Sequence, residues 1–179
     1  KTLYNQALKI QESSYGLLHP DIAATLNNLA TLTFSEGNWT DSKAFYTRSI
    51  DMKQKVFGID HPSVAVAQNN LAGLLYSNGE LDEAIALFRE SLRIRKCIYG
   101  DFHPLVAESM NNLSVALLSN GETEESNMHY ERSLEIMTQC YGDDHPTVTN
   151  AKQRRLEGLR SNGQADDASS VCRTPSSPK

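Results

Sequence analysis

Four histidines recur at a constant interval of 42 residues, and histidine is the side chain best suited to metal binding or proton transfer near neutral pH. Each precedes a proline in the pattern Gly-x-x-His-Pro, at His19, His61, His103 and His145. A metal site needs side chains that meet within a few ångströms, at about 2 Å from the ion. Histidines separated by whole repeats cannot converge on one ion or substrate, so we interpret them as helix-boundary residues.

The other residues of catalytic type form no stronger constellation. The paired carboxylates Asp143-Asp144 and Asp166-Asp167 stand near predicted helix starts, where they oppose the positive end of the helix dipole. Three cysteines, Cys97, Cys140 and Cys172, occupy non-equivalent repeat positions and form neither a disulfide framework nor a Cys-x-x-Cys site. The sequence therefore predicts no enzyme, no metal and no cofactor, and the thiols favour a reducing, cytoplasmic location.

Composition excludes two further classes of function. The 179 residues carry a net charge of -5 and no basic stripe, which argues against nucleic-acid binding. No apolar run approaches the ~20 residues that a membrane span needs. A repeat period between about 20 and 50 residues marks an array of stacked units, so we expect recognition of other proteins across a surface.

Each repeat carries the signal of two helices. After the proline, Val64, Leu71 and Leu75, with Val66 or Ala67, follow the three- and four-residue spacing of an amphipathic helix A. Proline suits the first helical position because its missing N–H is not needed there. A Ser-x-Gly turn ends helix A, and helix B then runs to the glycine of the next Gly-x-x-His-Pro.

Antiparallel helix pairs cannot bury both faces alone, so the repeats must stack. We expect the small residues Ala44 and Ala84 to allow close approach between helices. The predicted divisions are a partial repeat with helix B only at 1–15, full repeats at 20–57, 62–99 and 104–141, a degenerate capping repeat at 146–172 and a disordered tail at 173–179. Residues 1–15 match the second half of a repeat, so we expect this to be a fragment whose preceding helix has been cut away.

The positions of Leu71-Ala72, Gly79, Ala84 and Phe88 resemble the consensus of tetratricopeptide repeats. HEAT and armadillo arrays have overlapping periods, but the spacing from Gly79 to Ala84 favours tetratricopeptide repeats. The motifs His-Pro-Ser-Val-Ala at 61–65, Asn-Asn-Leu-Ala at 69–72 and Ser-Leu-Arg-Ile-Arg at 91–95 closely resemble the 42-residue repeats of kinesin light chains. The resemblance implies an all-α fold, a right-handed α-solenoid of antiparallel helix pairs.

The fourth unit departs from this pattern. Residues 111–114 read Asn-Asn-Leu-Ser, whereas residues 153–156 read Gln-Arg-Arg-Leu, and the helix also gains Lys152, Glu157 and Arg160. A terminal repeat has one face without a neighbour, and that face must be polar. We therefore interpret residues 147–172 as a cap.

The resemblance also implies a peptide-binding site. The second asparagine of each pair, Asn28, Asn70 and Asn112, points into the concave groove of such folds. An amide carries a donor and an acceptor, and can hold the backbone of an extended peptide without regard to its sequence. The alternative is that these amides bridge adjacent helices or merely face water.

Basic residues of helix B meet acidic cargo motifs in kinesin light chains. The matching positions here are Gln11, Lys53, Arg95 and Met137, so Lys53 and Arg95 are candidates for binding a ligand carboxylate, with a solvated surface charge as the alternative. Glu108 lies in helix A, where the family can carry a basic residue, and it would repel an acidic ligand.

Two hypotheses about function follow from these residues. The first is a non-enzymatic adaptor whose groove binds an extended, acidic segment of a partner protein, with kinesin heavy chain as a further partner through regions outside this chain. The second is a scaffolding or regulatory segment of a larger signalling protein that has a catalytic or nucleotide-binding domain elsewhere.

Overall fold

The computed structural model describes residues 1–161 and 163, and these residues form helices joined by short turns. The helices of the described part are α1 (Thr2–Tyr15), α2 (Pro20–Ser35), α3 (Trp39–Phe57), α4 (Pro62–Ser77), α5 (Leu81–Tyr99), α6 (Pro104–Ser119), α7 (Thr123–Tyr141) and α8 (Pro146–Ser161). The all-α prediction is confirmed. The predicted tail, and the part of the predicted cap from residue 164 onward, lie outside the described residues.

Contacts divide the chain into two compact units, Lys1–Ile98 and a second that begins at Tyr99. In the first unit, α2 packs against α1 and α3, and α4 packs against α3. In the second unit, α6 packs against α7, and α8 packs against both of them. Within each unit, helix A of a repeat therefore contacts helix B of the repeat before it, as stacking requires.

The repeated histidines begin the A helices. His61 Nδ1 accepts a hydrogen bond from the Ser63 backbone N–H at 3.2 Å, and its ring stacks on Phe57 with centroids 4.5 Å apart. The same cap and stack occur at His19 with Tyr15, His103 with Tyr99, and His145 with Tyr141. A side-chain acceptor at this position satisfies an N–H that has no partner within the helix. The helix-boundary interpretation is confirmed, and the histidine also supplies the cap.

The turn after helix A is closed by glycine. Gly79 has φ +82°, a conformation that a residue with a Cβ adopts only with strain. Its N–H donates to the Tyr76 carbonyl at 3.1 Å, and the Glu80 N–H donates to the Leu75 carbonyl at 2.9 Å. These two bonds form a Schellman motif, which satisfies carbonyls at the end of α4.

Buried serines tie the two helices of each repeat together. Ser49 Oγ donates to the Ala23 carbonyl at 2.7 Å and Ser91 Oγ donates to the Ala65 carbonyl at 2.8 Å. In the second unit, Ser133 Oγ donates to the Ala107 carbonyl at 2.6 Å. Each hydroxyl lies in an apolar interface with its donor satisfied, so that its burial carries little penalty.

The expectation for Ala44 was wrong. Ala84 is fully buried, as predicted, but Ala44 is exposed on the far side of α3. The residue 42 positions before Ala84 is Ser42, which is buried and whose Oγ donates to the Ala30 carbonyl at 2.7 Å. A small residue therefore does occupy the close approach, but it is a serine.

Arg155 also departs from the expectation of a polar outer face on α8. It stands 42 residues after Leu113 and is 2% exposed. Its guanidinium donates to Ser126 Oγ at 2.5 Å and to Asn127 Oδ1, and it lies 5.2 Å from the Tyr130 ring centroid. Arg155 therefore packs toward α7 within the second unit, whereas Glu157 and Arg160 are exposed.

Candidate functional site

Asn28 and Asn70 lie on one face of the A helices of the first unit. Asn28 is exposed, and its side chain forms no hydrogen bond with any described residue. The Asn70 amide donates to Asn27 Oδ1 at 3.5 Å, the limit of a hydrogen bond. Ala24 and Val66, one helical turn earlier, are exposed on the same face. We call this surface of α2 and α4 the asparagine face.

Asn112 lies in the middle of α6 in the second unit. Its Oδ1 accepts a hydrogen bond from Arg154 Nη1 of α8 at 3.0 Å. The bridging role considered for these amides is therefore present at Asn70 and Asn112, while Asn28 stays open to solvent.

The two candidate cations are not surface charges. Lys53 on α3 is 8% exposed, and Arg95 on α5 is 4% exposed. Arg95 already has an interaction partner within the protein. Lys53 has neither a hydrogen bond nor an ion pair with any residue that the structure describes, and burial lowers the pKa of its ammonium. Lys53 is therefore a recessed cation without a compensating partner in the described chain.

Lys53 faces the A helix of its own repeat. Tyr46, Ser49 and Lys53 share one face of α3, because residues three and four apart on a helix are neighbours. Tyr46 OH lies 2.8 Å from Thr31 Oγ1, and Ser49 Oγ donates to the Ala23 carbonyl. Both partners belong to α2, so this face of α3 is turned toward α2.

The next A helix, α4, closes the other side. At the equivalent point one repeat earlier, Gln11 Oε1 accepts a hydrogen bond from Thr25 Oγ1 at 2.8 Å. The residues 42 positions after Gln11 and Thr25 are Lys53 and Ala67, and the alanine has no side-chain acceptor for the lysine. In the second unit, the equivalent residues are Met137 and a buried alanine, so both are apolar. We call the place where α2, α3 and α4 meet around Lys53 the lysine seam.

A separate cavity of about 640 Å³ lies on the opposite face of α3. It is lined by Trp39, Thr40, Lys43, Ala44, Thr47, Arg48, Asp51, Leu74, Asn78 and Glu80. Lys43 is held by Glu80 at 2.7 Å and Glu83 at 2.9 Å, and the hydrogen bond to Glu80 is the main reason that the Lys43 pKa is raised. No pattern in the sequence indicated this cavity, and its Lys43 is already paired with carboxylates of the protein.

The described residues contain neither a candidate metal cluster nor a candidate membrane span. Among residues 1–161 and 163, no group of three or more His, Cys, Asp or Glu side chains could hold a metal ion. None of the helices in that part of the chain is both long enough and apolar enough to span a bilayer.

Comparison with known sequences identifies one family. The model of the family described as tetratricopeptide repeat matches residues 1–55, 21–96 and 63–139. No curated protein matches the chain at a significant level.

Solved structures share the fold. A variant of a candidate kinesin light chain of Podosopora anserina, with nearly identical TPR-like repeats, has a TM-score of 0.80 at 23% identity, covering 95% of this chain and 80% of that one. BtubC (BKLC) from P. vanneervenii has a TM-score of 0.81 at 19% identity over 99% of this chain and 76% of its own. The apo form of RapI has a TM-score of 0.73 at 18% identity over 93% of this chain and 59% of its own. At these identities the likeness establishes the fold alone.

Proposed function

This chain belongs to the tetratricopeptide repeat family, whose repeats serve as protein-interaction modules, and we propose that it binds an extended, acidic segment of a partner protein. The proposed contacts are the amides of Asn28, Asn70 and Asn112 and the cations of Lys53 and Arg95. The resemblance of the repeats to the cargo-binding region of kinesin light chains supports this mode of binding.

The observation that carries the proposal is the unpartnered ammonium of Lys53 within the described residues. A buried charge is normally paired, because transfer out of water without a compensating partner is unfavourable. The lysine seam offers Lys53 an apolar Ala67 where the preceding repeat has a hydrogen-bonded pair. A carboxylate from a bound segment would supply the missing partner through a charge-assisted hydrogen bond.

The asparagine face would hold the backbone of the same segment. The Asn28 amide is exposed with its donor and acceptor both open, and Asn70 makes only one long hydrogen bond through its amide nitrogen. A backbone needs one donor and one acceptor from each such amide. These contacts would be independent of sequence, so that selectivity for acidic residues would come from Lys53.

Arg95 has a supporting place in this proposal. It occupies the same repeat position as Lys53, but it already has interactions within the protein. Its replacement is therefore expected to affect stability as well as binding, which makes Lys53 the sharper test. Cytoplasmic location and a link to kinesin heavy chain stay predictions from the resemblance.

The experiment compares two lysines of α3. Labelled peptides of about eight residues containing Asp and Glu, and matched peptides with Asn and Gln instead, are titrated against wild type, Lys53→Met and Lys55→Met by fluorescence anisotropy. Lys55 is an exposed residue paired with Asp51 at 2.7 Å, so its replacement removes the same charge from the surface.

We expect Lys53→Met to weaken binding of the acidic peptides by about 10- to 100-fold, the worth of a hydrogen bond to a charged group. Lys55→Met should change it by less than about threefold. Equal effects of the two variants, or equal binding of acidic and amide peptides by wild type, would refute a carboxylate site at Lys53.

A further inference from the structure

The cavity on the face of α3 opposite Lys53 is an elongated groove. Its lining residues on α3 run from Trp39 to Asp51, which is about 18 Å at the rise of an α-helix. Its volume of about 640 Å³ is within the range of ligand-binding clefts. The apolar part of the lining consists of Trp39, Ala44 and Leu74. We call this cavity the outer groove.

The side chain at one repeat position leaves the outer groove open. The residue 42 positions after Lys43 is Ile85, which is 3% exposed. Lys43 is instead partly exposed and holds Glu80 at 2.7 Å and Glu83 at 2.9 Å. Because its ammonium bridges two carboxylates, Lys43 supplies no buried apolar side chain at the position where the next repeat has an isoleucine.

The charged side chains that line the outer groove already have partners. Lys43 is held by carboxylates of the protein, Arg48 pairs with Glu12 at 2.5 Å, and Asp51 pairs with Lys55 at 2.7 Å. A charged ligand would lose its hydration in the groove and find no free charge of opposite sign. The outer groove therefore favours a neutral occupant.

Two polar groups of the outer groove are open to a ligand. The indole N–H of Trp39 and the hydroxyl of Thr40 form no hydrogen bond with any described residue. Trp39 is partly buried, and its ring contacts the Phe34 ring edge-to-face with centroids 5.0 Å apart. A tryptophan N–H normally has a partner when the ring is buried. Trp39 therefore offers apolar surface and one open donor, which together match a carbonyl oxygen beside an apolar group.

We propose that the outer groove binds a segment of a partner protein through a neutral, apolar side chain of the size of leucine or phenylalanine. A carbonyl of that segment accepts a hydrogen bond from the Trp39 indole. Apolar and aromatic anchors seated in pockets carry much of the binding energy of protein interfaces. The outer groove is separate from the asparagine face and the lysine seam, and this inference does not depend on binding of an acidic segment there.

The test titrates the whole chain with labelled eight-residue peptides of Gly, Ser and Gln that carry a central Phe-Leu pair, and with matched peptides that carry Asn-Ser instead. Fluorescence anisotropy measures affinity, and unlabelled peptides are followed by the emission of Trp39, the only tryptophan of the chain. Ala44→Phe fills the groove, whereas Ala86→Phe adds the same side chain at the exposed position 42 residues later. Trp39→Leu removes the indole donor and introduces the residue that the next repeat has at this position, Leu81.

Wild type should bind the Phe-Leu peptide at least about tenfold more tightly than the Asn-Ser peptide, with a shift in Trp39 emission. Ala44→Phe should weaken this binding by about tenfold or more, and Trp39→Leu by about three- to tenfold through the lost hydrogen bond. Ala86→Phe should change it by less than about threefold. The melting temperatures of both phenylalanine variants should stay near that of wild type, because both alanines are exposed.

Equal binding of the two peptides by wild type, or equal effects of Ala44→Phe and Ala86→Phe, overturns the inference. The acidic peptides separate it from the proposed function. Their binding should be the same in Ala44→Phe as in wild type, and a loss of acidic-peptide binding in Ala44→Phe would contradict a separate outer site. If wild type binds no acidic peptide but discriminates Phe-Leu from Asn-Ser through Ala44, the proposed function fails and the outer site stands.

Discussion

Replacement of Lys53 by methionine should stabilise the first unit while it weakens peptide binding. The Lys53 side chain is 8% exposed, and its ammonium has no partner among the described residues. Methionine keeps a chain of similar length and removes the charge. The variant therefore separates the packing of this residue from its electrostatics.

The expected gain follows from the burial of one polar group. Mutational data place the penalty of burying a polar group without a hydrogen bond at about 1–3 kcal/mol, so Lys53→Met should raise the free energy of unfolding by about that amount. For a chain of this size, about 1 kcal/mol corresponds to about 2–4 °C in melting temperature. Lys55→Met removes a surface pair and should change stability by less than about 1 kcal/mol.

The pH dependence has a definite sign. Burial lowers the Lys53 pKa in the folded state below its ordinary value of 10.5, so between the two values the unfolded chain binds more protons than the folded chain. The free energy of unfolding of wild type should then rise with pH relative to that of Lys53→Met. The difference between these two free energies should become smaller as the pH approaches 10.5.

Urea denaturation followed by circular dichroism, between about pH 7 and pH 10, measures both effects. The reasoning would be refuted if Lys53→Met were less stable than wild type, or if their difference in free energy of unfolding did not change with pH. Either result would show that the ammonium already has a compensating partner. A stabilised variant that has lost affinity for acidic peptides would show that the charge is kept for binding at the expense of stability.

Five further substitutions, at four positions, test the scaffold by the same denaturation measurement. Gly79→Ala should destabilise the protein by about 1–2 kcal/mol, because the φ of Gly79 is +82°. Gly73→Ala should stabilise it by about 0.5–1 kcal/mol, because Gly73 lies inside α4 with open space where a Cβ would stand. Similar effects of the two substitutions would contradict the turn assigned at Gly79. His61→Ala should lower the free energy of unfolding by about 1 kcal/mol, because the helix cap is lost. His61→Asn should restore this stability, because asparagine is a good capping residue. If His61→Asn does not restore it, the stacking of His61 on Phe57 contributes more than the cap. Ser91→Ala should lose about 1 kcal/mol with its buried hydrogen bond, and an unchanged stability would show that this bond adds nothing.

Helix boundaries could be predicted from the sequence because they depend on local constraints. A proline such as Pro62 has no N–H to satisfy within the helix, and a glycine such as Gly79 adopts the positive φ of the turn without strain. The role of His61 as a cap was less accessible, since histidine is not among the preferred capping residues. The signal was present in its fixed position before the proline.

The candidate site was predictable only in part. The interval of 42 residues placed Asn28 and Asn70 at equivalent points of α2 and α4, but not their different surroundings. Whether such an amide is free or bridged depends on the residue that faces it from the neighbouring helix, as Arg154 faces Asn112. The error at Ala44 has a related origin. Ala44 is small enough for a close approach, but the residue that stands 42 positions before the buried Ala84 is Ser42.

The sequence by itself determined the repeat, the helix pairs and the family, because period, proline and glycine act through short-range geometry. Only the tertiary structure decided which charges are exposed. Gln11, Lys53 and Met137 occupy one repeat position, and what each does depends on the helix packed against it. Lys53 lies in the seam without a partner among the described residues because the chain places Ala67 opposite it, a pairing that exists only after three helices have come together.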